Sequence, residues 1–132
     1  MAFRFEFDSA NKLLLGRFEG ELTDGSLSEF LRAIRDRSIE TDARAGIGDY
    51  SSVTEFSVTS EFIRYIANKE PAMPDATRRP RVLVFPATAG FGIGRMFQIV
   101  GEPRNPLLKV VHTLDEALAE LGVQSPHFEP LE

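Results

Sequence analysis

Val82-Leu83-Val84-Phe85 is an unbroken apolar run that follows the basic stretch Arg78-Arg79-Pro80-Arg81. A strand with one wet face alternates apolar and polar residues. This run does not, so it reads as a strand buried on both faces, as a central parallel strand is. A helical pattern follows it, with Ile93, Met96, Phe97 and Val100 on one face and Gly101 and Pro103 to end it. Leu107 to His112 then reads as another strand. A strand, a helix and a further strand make a right-handed crossover and a parallel pair. The fold class is therefore α/β.

Upstream, Phe3, Phe5 and Phe7 alternate with Arg4, Glu6 and Asp8, the period-two mark of a strand with one wet face. Ser9 to Lys12 reads as a turn and Leu13 to Glu19 as a second strand, so the chain opens on an antiparallel hairpin. Ser26-Leu27-Ser28-Glu29 has the form of a capping box, and Leu27, Phe30, Leu31 and Ile34 continue as one apolar helical stripe. Ala45 to Tyr50 is a short strand. Thr59, Phe62, Ile63 and Ile66 mark a second helix, with Ser57 as its expected cap, and this helix stops before Pro71. A loop follows from Pro71 to Pro80. Thr113-Leu114-Asp115-Glu116 is another capping box, leading a helix with Leu114, Ala117, Leu118 and Leu121 on one face and Gly122 as its stop. The expected whole is a mixed sheet of about five strands, an antiparallel hairpin and then parallel strands, with about four helices. It forms one domain over residues 1–123, with a patternless, mobile tail at 124–132.

The chain has 132 residues, 42% of them apolar, with eleven phenylalanines and no cysteine. That length supports one core without a metal or disulfide staple. The lack of cysteine removes thiolate nucleophiles and cysteine-ligated zinc. The net charge of −5 argues against broad nucleic-acid binding, which depends on neutralising phosphates. No run approaches the roughly 18 apolar residues of a membrane span. The first residues, Met1 to Asp8, do not read as a signal peptide, so a cytoplasmic location is expected.

No complete catalytic constellation stands in the sequence, so an enzyme is not expected, and neither a cofactor nor a metal site is called. Gly90, Gly92 and Gly94 follow the central strand, but their spacing is neither the dinucleotide fingerprint nor a Walker loop, and Arg95 is the nearby cation. Close helix packing explains them more simply. No catalytic role is read for His112 or His127, since a general base usually needs a carboxylate placed to orient it. Asp49 ends a strand, and ligands meet parallel sheets at the carboxyl ends of strands, where Thr88 and His112 also fall. The simpler role for Asp49 is to accept amides in the following turn. Ser51, Ser52, Thr54, Ser57, Thr59 and Ser60 crowd the start of the second helix, as cap candidates or as phosphate acceptors.

The segment Gly46-Ile47-Gly48-Asp49-Tyr50-Ser51-Ser52-Val53-Thr54 resembles the central strand and turn of STAS domains of the SpoIIAA-like, anti-sigma-factor antagonist type. Phe91-Gly92-Ile93-Gly94-Arg95-Met96-Phe97 resembles a helix of their short stand-alone bacterial relatives. The resemblance covers nearly the whole element order. It implies helices packed mainly on one side of the sheet, no cofactor and no chemistry of its own. In classical members a kinase phosphorylates a serine of an Asp-Ser-Ser/Thr-Gly motif at the start of the second helix, and this controls binding to an anti-sigma factor. Here the motif falls on Ser57-Val58-Thr59-Ser60, so Val58 stands where the phosphorylated serine would be, and the Asp and Gly are also replaced. The CRAL-TRIO lipid-transfer type is a related sheet fold, but this chain is short for enclosing a large lipid, leaving room for a small apolar groove.

The expected function is a non-enzymatic regulatory or binding module for a protein partner, with the edge phenylalanines offering a homodimer surface. The alternative is a small-molecule site, for an anionic or apolar ligand, at the carboxyl ends of the parallel strands. The binding candidates are Asp49, Ser51, Ser57, Thr59, Thr88 and Arg95.

Overall fold

The computed structural model describes residues 2–67, 79–86 and 108–131. Strands β1 (Phe3–Asp8) and β2 (Leu13–Thr23) form the antiparallel hairpin, with Phe3 opposite Phe18 and Asp8 opposite Leu13. Helix α1 (Asp24–Thr41) returns the chain to β3 (Ala45–Ser57), which lies parallel to β2. Helix α2 (Ser60–Ala67) follows, then β4 (Arg81–Val84) and β5 (Leu108–Val111), each parallel to its neighbour. Helix α3 (Leu114–Leu121) and strand β6 (Glu129–Leu131) complete the order. Among the described residues the sheet has six strands in the order β5-β4-β3-β2-β1-β6.

Both faces of the sheet are covered. Phe5, Leu14, Phe18, Tyr50 and Phe85 face Leu27 and Phe30 of α1, with Phe62 and Ile66 of α2 against the same cluster. Leu13, Leu15, Ile47, Val82 and Val84 face Ala117 of α3. The run read as buried on both faces is so: Val82 and Val84 point to α3, and Leu83 and Phe85 to the α1 side. Two of the three described helices, α1 and α2, share one face, in keeping with the arrangement the family resemblance implies, and α3 covers the other. The period-two alternation of β2, Leu13 and Leu15 against Leu14, is apolar on both faces, and such a strand needs cover on each.

Gly16 sets how closely α1 approaches. A Cβ there would come within 2.8 Å of a Phe5 ring carbon and 3.1 Å of Phe30. Its absence lets the Phe5 and Phe30 rings stack across the strand, with centroids 5.9 Å apart.

Several boundaries differ from the sequence expectation. Strands β2 and β3 run on to Thr23 and Ser57, because each supplies the other with backbone partners along its length. Thr23, in extended geometry, thus becomes the cap of α1: its hydroxyl accepts the Ser26 N–H, and the Ser26 hydroxyl accepts the Thr23 N–H. Ser26 is the third helical residue rather than the cap. Thr59, not Ser57, caps α2 by accepting the Phe62 N–H at 3.1 Å, since Ser57 is still in the strand. The cap at Thr113 is as read, accepting the Glu116 N–H at 3.1 Å.

The tail is not patternless in space. Phe5, Glu6 and Phe7 of β1 pair with Leu131, Pro130 and Glu129 of β6. Of the edge phenylalanines, Phe5 is buried, and Phe3 and Phe7 are partly buried against the α1 cluster. The helix expected around Ile93 to Val100, its glycines, and the loop from Pro71 up to residue 78 lie outside the described residues.

Candidate functional site at the β3–α2 junction

Strand β3 carries three of the expected site residues, Asp49, Ser51 and Ser57, and its geometry distributes them. Arg17 pairs with Asp49, but Glu19 pairs with Ser52, so β3 spends one extra residue there; a second shift falls between Gly20 and Glu21. These are bulges on β3, which bend a strand and re-aim its side chains. The pairing with β4 ends at Asp49 and Val84, while the pairing with β2 continues to Thr23 and Ser57. The last part of β3 is thus one member of a two-stranded parallel ribbon that projects beyond β4.

Asp49 is buried on the α3 face of the sheet. Its Oδ1 accepts the Ser51 N–H at 2.9 Å and the Ser51 hydroxyl at 2.6 Å. Its Oδ2 lies 3.8 Å from Arg17, and the Arg17 Nε lies 2.7 Å from Glu6. A carboxylate that accepts from the residue two places on closes a local turn of the strand. It organises the bulge, as its simpler reading supposed.

Ser57 and Thr59 belong to a different cluster. Eight residues of strand separate Asp49 from Ser57, roughly 25 Å of extended chain. The Ser57 hydroxyl donates to Glu21 Oε2 at 3.0 Å. The Thr59 N–H and hydroxyl donate to the two oxygens of Asp24 at 2.9 and 3.0 Å. Thr59 therefore accepts from α2 and donates to α1 through one oxygen. Val58, between these two tethers, is partly buried against the α1 cluster.

Asp49 and Ser51 come together, and Ser57 and Thr59 come together, but the two pairs form no single rim. Thr88 and Arg95 lie outside the described residues. His112 follows β5 and is exposed. Sequence reasoning missed Glu21 and Asp24, which lie 36 and 35 residues from their partners and carry no local signal. Neither serine hydroxyl has a histidine among its hydrogen-bond partners; each donates to a carboxylate. Among the described residues no three His, Cys, Asp or Glu side chains converge as a metal site.

The frame itself is recognisable. A structure of the anti-sigma factor antagonist SpoIIAA in its unphosphorylated form superposes with a TM-score of 0.60 at 16% identity, covering 94% of this chain and all of that one. The Bacillus cell fate determinant SpoIIAA in the phosphorylated form gives 0.51 at 20% identity, covering 91% of this chain and 99% of that one. The chain thus has the STAS fold of the SpoIIAA anti-sigma factor antagonists. No family model matches the sequence. No curated protein matches it either.

Proposed function

We propose that this chain is a non-catalytic, STAS-like regulatory module that binds a partner protein at the tip of the β2–β3 ribbon. The observation that carries this reading is the junction itself. The starts of α1 and α2 are tied together there by Asp24 and Thr59, in a fold shared with proteins whose solved forms differ by phosphorylation.

The surface does not favour a phosphate switch of its own. Val58 has no hydroxyl, and the hydroxyls on either side are each held by a carboxylate. A phosphate on Ser57 or Thr59 would stand against Glu21 or Asp24, like charge against like. The module is accordingly read as permanently in one state.

The test is affinity capture from the protein's own cells, with wild-type, Glu55→Arg/Glu61→Arg and Ile39→Arg baits. Glu55 and Glu61 are exposed beside the junction, and Ile39, 56% exposed, lies on α1. A specific partner retained by Ile39→Arg and lost with the double variant supports the reading. A partner indifferent to the double variant removes the junction as its site. Turnover of an ester, phosphate or glycoside panel by the pure protein, abolished by Asp49→Ala, would show an enzyme instead.

A further inference from the structure

The interior between α1 and the sheet holds a feature that neither partner binding nor the junction uses. A cavity of about 60 Å³, partly open to solvent, lies among Leu31 and Ile34 of α1 and Leu14, Gly46, Gly48 and Tyr50 of the sheet. Its floor is made by glycine. A Cβ at Gly46 would find no atom nearer than 3.9 Å, so a side chain there would have had room. A glycine weakens a strand interior and here leaves volume unfilled.

Tyr50 supplies the second observation. Its ring is fixed by stacking on Phe85, with centroids 4.5 Å apart, and by an edge contact with Phe30 at 5.6 Å. The residue is 2% exposed. The Gly48 position is covered by Leu83 Cδ2 at 3.2 Å and the Tyr50 ring at 3.4 Å, with the Tyr50 hydroxyl oxygen 3.8 Å away, so the open floor is at Gly46. That hydroxyl makes no hydrogen bond among the described residues, whereas every side-chain N or O fully enclosed among them has a partner. The hydroxyl is therefore not sealed in; it faces the cavity. A ligand oxygen in the cavity would give that hydroxyl an acceptor.

Arg81 lines the same cavity, with its Cγ 3.9 Å from the Gly46 Cβ position. Arg81 already has an interaction of its own, so it enters as a source of positive charge and not as a vacant donor. Burial pushes the Tyr50 phenol pKa up, and the Arg81 charge opposes that rise.

We propose that this cavity binds short aliphatic carboxylates, with the chain between α1 and the glycine floor and one oxygen accepting from the Tyr50 hydroxyl. The volume sets the length. An engineered cavity of about 150 Å³ takes benzene, so this one suits a chain of about two to four carbons. The proposal is independent of the partner reading, and either can fail alone.

Equilibrium unfolding of the full chain in acetate, butyrate, octanoate and 1-butanol, at matched ionic strength, tests it. Butyrate should give a saturable stabilisation, about tenfold in the apparent folding constant at ten times its Kd. Octanoate and butanol should act more weakly, the one too long and the other uncharged. Tyr50→Phe, which removes only the hydroxyl, should fold and lose about tenfold in butyrate affinity. Gly46→Val should fill the cavity and abolish the response. The proposal is overturned if butyrate gives no saturable effect into the tens of millimolar, if butanol matches it, or if Tyr50→Phe binds butyrate as well as the wild type does.

Discussion

Burying a carboxylate costs free energy unless donors surround it. Asp8, only 1% exposed, meets that requirement. Its oxygens accept the Ala10 and Asn11 N–H groups at 3.1 and 3.2 Å, the Asn11 side-chain amide at 2.7 Å, and the His127 N–H at 3.2 Å. Burial pushes its pKa up, but these bonds, the Asn11 side chain foremost, outweigh it and hold the carboxyl below its ordinary value. The folded value is thus the lower one. Its stabilisation is present above the unfolded value of about 3.9 and is lost as the pH falls through the folded value. Asp8→Ala should lower stability by on the order of 2 kcal/mol at neutral pH. Urea melts along a pH series should show the gap to wild type closing below about pH 4; a gap independent of pH would mean that the charge is not its source. Gly16→Ala tests packing at the same scale. Its Cβ, 2.8 Å from a Phe5 ring carbon, should cost about 1–3 kcal/mol in the same melts.

The elements were legible wherever their signal was local. The alternation at Phe3 to Asp8, the apolar run at Val82 and the cap at Thr113 each depend on a few neighbouring residues, and each stands where it was read. Helix starts shifted when a long-range partner decided them. Ser26-x-x-Glu29 matches a capping box as well as Thr23-x-x-Ser26 does, and only the parallel pairing of Thr23 with Ser57 settles which residue leaves the strand last. Helix α2 shows the same dependence, since its cap also bonds to Asp24. Thr59→Ala should cost about 1 kcal/mol. Thr59→Asp keeps a capping oxygen but sets a second carboxylate against Asp24. It should therefore be less stable than expected for a good cap and should recover when Asp24→Asn is added; a double-mutant cycle read by thermal melts that shows no coupling would break the tether. At the end of α3, Gly122 has a φ of +70°, and Gly122→Ala should cost roughly 1 kcal/mol through left-handed strain.

At the scale of the molecule, the class of fold followed from the order of elements, and the sixth strand did not. Glu129, Pro130 and Leu131 carry no strand pattern because only β1 gives them one, with Asp8 holding the preceding segment. A chain ending at Val123 should therefore be less stable and, with the β1 edge bare, should self-associate with rising concentration in sedimentation runs; a monomer at every concentration would show that the edge needs no cover. The candidate site was half legible for a similar reason. Ser57 and Thr59 stood out by composition, while their carboxylate partners come from a corner of the chain more than thirty residues away. The ribbon that carries this corner has a mechanical consequence. Its tip stands roughly 25 Å along the strand from the last β3–β4 pair and carries the origins of two helices. Whatever grips that tip holds the end of a lever whose fulcrum is the six-stranded body. A force applied there reaches the starts of α1 and α2 at once, because Asp24 and Thr59 tie them to each other.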